Sequence, residues 1–96
     1  MFRVTPQAKE KLKLVLREKA QDPKVAFRVI LNPMKPRQVD FILDKAREGD
    51  IVVESEHGRN IVLINSKLVS KVKGLVLDYL ETSRGSNFII SKFTLH

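Results

Sequence analysis

The chain contains no cysteine and no tryptophan, one tyrosine, and only four glycines and four prolines. Without cysteine it can form no disulfide, no cysteine-ligated zinc or iron-sulfur site and no cysteine nucleophile. Glycine-rich phosphate-binding motifs, the serine motif of hydrolases and paired carboxylates are also missing. Ser66, Ser70 and Ser83 lack an evident general base. The sequence therefore predicts a protein that is not an enzyme and carries no cofactor.

Long apolar runs are absent as well. No stretch approaches the roughly 20 apolar residues that cross a bilayer, and the N-terminus lacks the apolar run of a signal peptide. We therefore expect a cytoplasmic protein with no membrane partner. The composition, 43% hydrophobic and 30% charged, is typical of a globular protein, and 96 residues can build one core. We expect one domain over residues 1–96.

The net charge of +7 lies entirely in the first half of the chain, where residues 1–47 hold 12 lysines and arginines against 5 acids. The basic candidates for contact with a partner or polyanion are a helix row and a loop pair: Lys9, Lys13, Arg17, Lys35 and Arg37. A solvated helix face is the simpler interpretation of the row. Nucleic acid is not favoured because aromatic stacking residues are few.

A long N-terminal helix follows a short strand at Phe2 to Val4. Thr5 is a suitable N-cap and Pro6 suits the first helical position, so the helix should run from there to about Ala20. Its core-facing stripe is Ala8, Leu12, Val15 and Leu16, with Leu14 off the stripe.

The remaining pattern predicts six further strands and one short helix. Strand spans are Val25 to Leu31, Gln38 to Lys45, Ile51 to Glu54, Asn60 to Ile64, Leu75 to Glu81 and Asn87 to Phe93. Arg28 is expected to face outward from the first of these. The short helix covers Lys67 to Val72 and ends at Gly74. Short turns between successive strands favour an α+β fold with a mainly antiparallel sheet.

The segment LVLDYLETSRGSNFIIS at residues 75–91 resembles the end of the HesB-like domain, found in the IscA-type iron-sulfur cluster assembly proteins. The matching residues are Asp78, Tyr79, Glu81, Gly85, Ser86 and Phe88. Alternation along the strand places Asp78 and Tyr79 on opposite faces, as a feature of the fold rather than a catalytic pair. The resemblance extends over nearly the whole chain and implies a HesB-like β-sandwich or barrel-like domain with one long and one short helix.

The family holds its clusters with three cysteines, and this chain has none. The loop position of the first lies among Met34, Lys35 and Pro36, and the sequence ends where the final cysteine pair would begin. The resemblance thus implies the fold without the cluster site, in a non-catalytic accessory or partner-binding module. Expected partners are iron-sulfur assembly proteins, with a homodimer left open.

Two alternatives stay open. One is a basic adaptor that binds nucleic acid or another polyanion. The other is weak iron binding through Met34 and nearby oxygen ligands, which a lone thioether supports poorly. His57 and His96 have no metal-ligand spacing and are expected to be incidental.

Overall fold

Two small β-sheets and a long helix make up the fold in the computed structural model, which describes residues 2–35 and 38–92. The strands are β1 (Arg3–Val4), β2 (Val25–Leu31), β3 (Val39–Lys45), β4 (Ile51–Glu54), β5 (Asn60–Ile64), β6 (Leu75–Thr82) and β7 (Gly85–Lys92). The helices are α1 (Pro6–Lys19) and α2 (Val69–Val72), and a 3₁₀ turn over Ser66–Leu68 precedes α2. None of the helices in the described ranges has the length and apolar character required to cross a bilayer.

One sheet has the strand order β1-β6-β7 and the other β3-β2-β5-β4. The pairs β2–β3, β4–β5 and β6–β7 are antiparallel, whereas β1–β6 and β2–β5 are parallel. A bridge between Gln38 and Ile89 connects the edges of the two sheets. The predicted α+β class with a mainly antiparallel arrangement is therefore confirmed.

Helix α1 packs its predicted stripe into the core. Ala8, Leu12 and Leu16 are at most 1% exposed and Val15 is partly buried, whereas Leu14 is 51% exposed. They pack in one cluster with β5 and β6 residues such as Ile61 and Leu77. Burying this stripe stabilises the helix more than its intrinsic propensity does.

The predicted element bounds agree closely with the structure, and β2, β4 and β5 agree in every residue. Gly74 follows α2 with a φ of +78°, a conformation that favours glycine. Strand β7 begins at Gly85 rather than Asn87, because the Thr82 hydroxyl bonds both Arg84 N and the Gly85 carbonyl and shortens the turn. The predicted end at Phe93 lies outside the described residues.

Arg28, expected to face outward, is instead buried with only 5% exposure. Its guanidinium donates to the Asp44 carboxylate at 2.7 Å, to both Asp50 oxygens at 3.1 and 2.7 Å, and to the Lys45 carbonyl at 3.2 Å. This ion cluster ties β2 to β3 and to the turn before β4. The strand pattern showed Arg28 as an isolated charge, so it could not indicate that Asp44 and Asp50 lie close enough to make its burial tolerable.

The ion cluster also sets how these groups titrate. Hydrogen bonds from Arg28 lower the pKa of both Asp50 and Asp44 below the ordinary value of 3.8. In return, the hydrogen bond to Asp50 raises the pKa of Arg28. Because the folded-state carboxyl pKa values are depressed, the cluster stabilises the fold above the unfolded pKa, and this contribution is lost as the pH falls.

We expect Asp50→Asn to lower the free energy of unfolding by about 3 kcal/mol at neutral pH, because it leaves a buried guanidinium with one carboxylate instead of two. The loss of unfolding free energy relative to the wild type should be at its maximum above about pH 5 and should shrink as the pH falls from 3.8 toward the depressed pKa of Asp50 in the folded protein. Urea unfolding at several pH values measures both effects.

Asp40→Asn is the matched control, since Asp40 is an exposed carboxylate on the neighbouring strand β3. It should change the free energy of unfolding by less than about 0.5 kcal/mol. Equal losses in the two variants, or a difference that does not depend on pH, would contradict the assigned role of the cluster.

Candidate functional site

A hydrogen bond from Thr5 to Asp78 seats helix α1 against strand β6. The Thr5 hydroxyl donates to Asp78 Oδ1 at 2.7 Å and accepts from Ala8 N at 3.2 Å, so one side chain caps the helix and fastens it to the sheet. The same Asp78 oxygen accepts from Tyr79 N at 2.8 Å, and Thr5 N donates to the Leu77 carbonyl at 2.9 Å. We call the side-chain bond the Thr5–Asp78 link.

Four aromatic rings form a continuous chain across the two sheets. Phe27 and Phe41 contact edge to face with centroids 5.6 Å apart, and Phe41 and Phe88 do so at 5.3 Å. Tyr79 completes the chain with its centroid 4.9 Å from Phe88. Such contacts hold each ring in a defined orientation. They therefore fix the positions of Phe88 and Tyr79, which lie at the surface end of this row of aromatic rings.

An open cleft of about 920 Å³ lies at this end, between the start of β3, strand β7 and helix α1. We call it the Tyr79 cleft. Its lining residues are Lys11, Lys35, Gln38, Val39, Tyr79, Ser86, Asn87, Phe88 and Ile89. The Gln38–Ile89 bridge closes one end of the gap between the sheet edges. The cleft thus has an apolar floor and a polar rim.

Lys35 lines the cleft from the segment that follows β2. Asn32 Oδ1 accepts from Met34 N at 2.9 Å, and the Asn32 carbonyl accepts from Lys35 N at 3.0 Å. The Lys35 carbonyl then accepts from Gln38 N at 3.0 Å. This is the loop in which the resemblance places a first cysteine, and its Met34 side chain is 86% exposed. The loop therefore presents an ammonium group to the cleft.

Lys11 approaches the cleft from the other side, on helix α1. Its Nζ lies 5.7 Å from the centroid of the Tyr79 ring, within the range of a cation–π contact. The Tyr79 ring is 9% exposed. Its hydroxyl bonds no described residue and is not among their buried unbonded atoms, so it is open to solvent.

A second groove, which we call the Leu14–Leu80 groove, adjoins the Tyr79 cleft between α1 and β6. Leu14 is 51% and Leu80 44% exposed. Its full lining is Pro6, Gln7, Glu10, Lys11, Leu14, Tyr79, Leu80 and Glu81. Two exposed leucines facing one groove are an apolar surface of the kind that partners cover.

The basic residues that were predicted to form a contact surface lie on different parts of the structure. Lys35 lines the Tyr79 cleft, while helical spacing puts Lys9 and Lys13 about 160° around α1 from Lys11. Lys13 pairs with Glu10 at 3.1 Å, and Arg17 is exposed near the end of the helix. Arg37 lies outside the described residues. A role of the helix row in partner or polyanion contact stays a prediction.

Sequence reasoning missed Lys11 and the groove leucines. Lys11 and Val15 are four residues apart and share a flank of α1, so the helical pattern already placed Lys11 beside the core stripe. The pattern could not indicate that this flank meets Tyr79, because the Thr5–Asp78 link joins residues 73 positions apart.

We expect Thr5→Val to lower the free energy of unfolding by about 1–2 kcal/mol, since it removes both the helix cap and the donor to Asp78 while keeping the shape of the side chain. Thr5→Ser keeps the hydroxyl and should lose less than about 0.5 kcal/mol. Thermal or urea unfolding measures the difference, and equal losses in the two variants would refute the link.

No protein-family model matches the chain, and no curated protein matches it in sequence. Solved structures do match. IscA, crystallised with a 2Fe-2S cluster, has a TM-score of 0.68 and 21% identity, covering 96% of this chain and 85% of that chain. SufA of Escherichia coli, involved in biosynthesis of iron-sulfur clusters, has a TM-score of 0.67 and 14% identity, covering 95% and 84%.

A protein of Aquifex aeolicus solved by NMR has a TM-score of 0.65 and 28% identity, covering 95% of this chain and 90% of that chain. These likenesses extend over nearly the full length of each chain, so they concern the whole fold rather than one motif. The chain, which has no cysteine, therefore has the fold of the iron-sulfur cluster assembly proteins IscA and SufA, and its predicted HesB-like resemblance is confirmed.

Proposed function

We propose that this chain is a non-catalytic binding module that works with iron-sulfur assembly proteins without holding a cluster itself. One observation carries the proposal: the chain has the fold of IscA and SufA but none of the cysteines that bind a cluster. A cytoplasmic location and a single HesB-like domain over residues 1–96 are part of it. Coverage of 96% of the chain by the IscA likeness supports the single domain.

The donor set supports the absence of a cluster site. Iron-sulfur clusters need several soft ligands that converge on one point. In the loop where the resemblance places the first thiolate, the described residues offer the exposed Met34 thioether and the Lys35 ammonium. A positively charged ammonium repels iron, and one thioether binds it poorly.

The Leu14–Leu80 groove is the surface that best suits a protein partner. It combines two exposed leucines with Glu10 and Glu81, and the Thr5–Asp78 link holds both of its walls in place. Protein interfaces characteristically bury apolar side chains at the centre and keep charged groups at the rim. A partner that covered this groove would bury Leu14 and Leu80.

Anaerobic incubation of the purified protein with ferrous iron and sulfide should give a colourless product after desalting, because no thiolates are present to hold a cluster. Iron and acid-labile sulfide should both be far below one equivalent. IscA, which was crystallised with a 2Fe-2S cluster, is the positive control when treated in parallel. A brown product with stoichiometric iron and sulfide would overturn the proposal.

Purified iron-sulfur assembly proteins of the source organism should include at least one that binds this chain. Leu14→Ser together with Leu80→Ser should weaken that binding by about tenfold or more, because it removes both apolar contacts of the groove. Isothermal titration calorimetry measures the affinity.

Ile42→Ser is the matched control, because Ile42 is 49% exposed on strand β3 and lies outside the groove. It should leave the affinity within about twofold. Failure of every assembly protein to bind would reject the proposed function, and an equal loss with Ile42→Ser would reject the groove as its surface.

A further inference from the structure

The Tyr79 cleft has positive charge on its lining, although Lys11 also lines the adjoining groove that holds Glu10 and Glu81. Lys11 lines the cleft from α1 and Lys35 from the segment between β2 and β3, and no aspartate or glutamate among the described residues lines it. Every ion pair in the described ranges lies elsewhere, so neither ammonium has a carboxylate within 4.0 Å there. This differs from Arg28, whose charge is fully paired inside the fold. The cleft therefore favours an anion.

The floor of the same cleft is apolar and aromatic. Val39, Phe88 and Ile89 contribute side chains there beside the Tyr79 ring. The chain of ring contacts that includes Phe41 holds Phe88 and Tyr79 in place, so the floor is formed before any ligand arrives. A volume of about 920 Å³ lies within the range of small-molecule sites, which combine apolar walls with a few polar groups.

Hydrogen-bonding groups complete the rim. The Tyr79 hydroxyl is open to solvent, and the side chains of Gln38, Ser86 and Asn87 bond no described residue. Each can donate to an oxygen anion. These polar side chains and the two ammonium groups thus line one cleft, beside the Gln38–Ile89 bridge that joins the two sheet edges.

We propose that the Tyr79 cleft binds a small organic anion that has a flat apolar body and a carboxylate, an aromatic carboxylate in its simplest form. Lys11, Lys35 and the Tyr79 hydroxyl hold the carboxylate, and Phe88 and Val39 contact the body. An inorganic anion would leave the apolar floor uncovered, and a neutral ligand would leave both ammonium groups unpaired. The site goes beyond the proposed partner binding, because Lys35 and Phe88 line only the cleft, whereas Lys11 and Tyr79 line both surfaces.

The test is a titration of the wild-type protein with naphthoate, followed by amide chemical shifts. We expect saturable shifts at Lys11, Lys35, Tyr79 and Phe88, with a dissociation constant at or below roughly 1 mM. Lys11→Gln with Lys35→Gln should weaken naphthoate binding by about tenfold, the size expected for lost charge-assisted contacts. Uncharged naphthylmethanol should bind the wild type more weakly and should be insensitive to this double variant.

Lys67→Gln with Lys71→Gln is the matched control, since it removes the same two charges from exposed positions near α2. It should leave naphthoate binding within about twofold. The proposal is overturned if naphthoate does not bind, if its shifts lie outside the cleft, or if both double variants weaken it equally. An acidic peptide that shifts the same amides where naphthoate fails would also overturn it, in favour of a protein ligand.

Discussion

The hydrogen bond from the Thr5 hydroxyl to the Asp78 carboxylate fastens helix α1 to strand β6, and both surfaces described above depend on it. Together with the bond from Thr5 N to the Leu77 carbonyl and the buried stripe of α1, it positions the helix on the sheet. Lys11 consequently lies over the Tyr79 ring, and Leu14 lies in the same groove as Leu80. Because Asp78 also accepts from Tyr79 N, the link helps to hold the backbone at Tyr79, one of the two residues that both surfaces share.

Two groups of charged side chains in this fold differ in their surroundings, those that form ion pairs in the interior and those that line a surface cleft. In the interior, the Arg28 guanidinium forms hydrogen bonds with Asp44 and Asp50, so its burial leaves no charge uncompensated. At the Tyr79 cleft, Lys11 and Lys35 form none of the ion pairs found in the described part of the chain. Pairing makes the burial of the Arg28 charge tolerable, whereas charged groups without an ion-pair partner beside aromatic rings are a feature of binding sites.

The likeness to IscA and SufA concerns the fold, and the chemistry of a site depends on the side chains it holds. Here the loop that the resemblance equates with a thiolate position presents Lys35 to a cleft with an aromatic floor. This chain thus has a cationic side chain in the loop where the resemblance places a thiolate. An ammonium group has no lone pair for iron and favours an oxygen anion.

Local patterns in the amino-acid sequence were enough to predict where the elements lie. Thr5 and Pro6 marked the start of α1, apolar spacing marked the face that holds Leu12 and Leu16, and alternation marked β2, β4 and β5. These signals depend on neighbours a few residues apart, which is why they could be read directly. The lack of cysteine was equally plain, since composition needs no geometry.

Contacts between residues far apart in the sequence depend on the tertiary structure and could not be predicted from local patterns. Arg28 meets Asp50 across 22 positions, and Thr5 meets Asp78 across 73, so neither pairing leaves a mark in local periodicity. The burial of Arg28 and the position of Lys11 at the Tyr79 ring both follow from such contacts. Which residues form each element is a local property, whereas which charges are paired and which remain available to a ligand depends on how the two sheets and the helix meet.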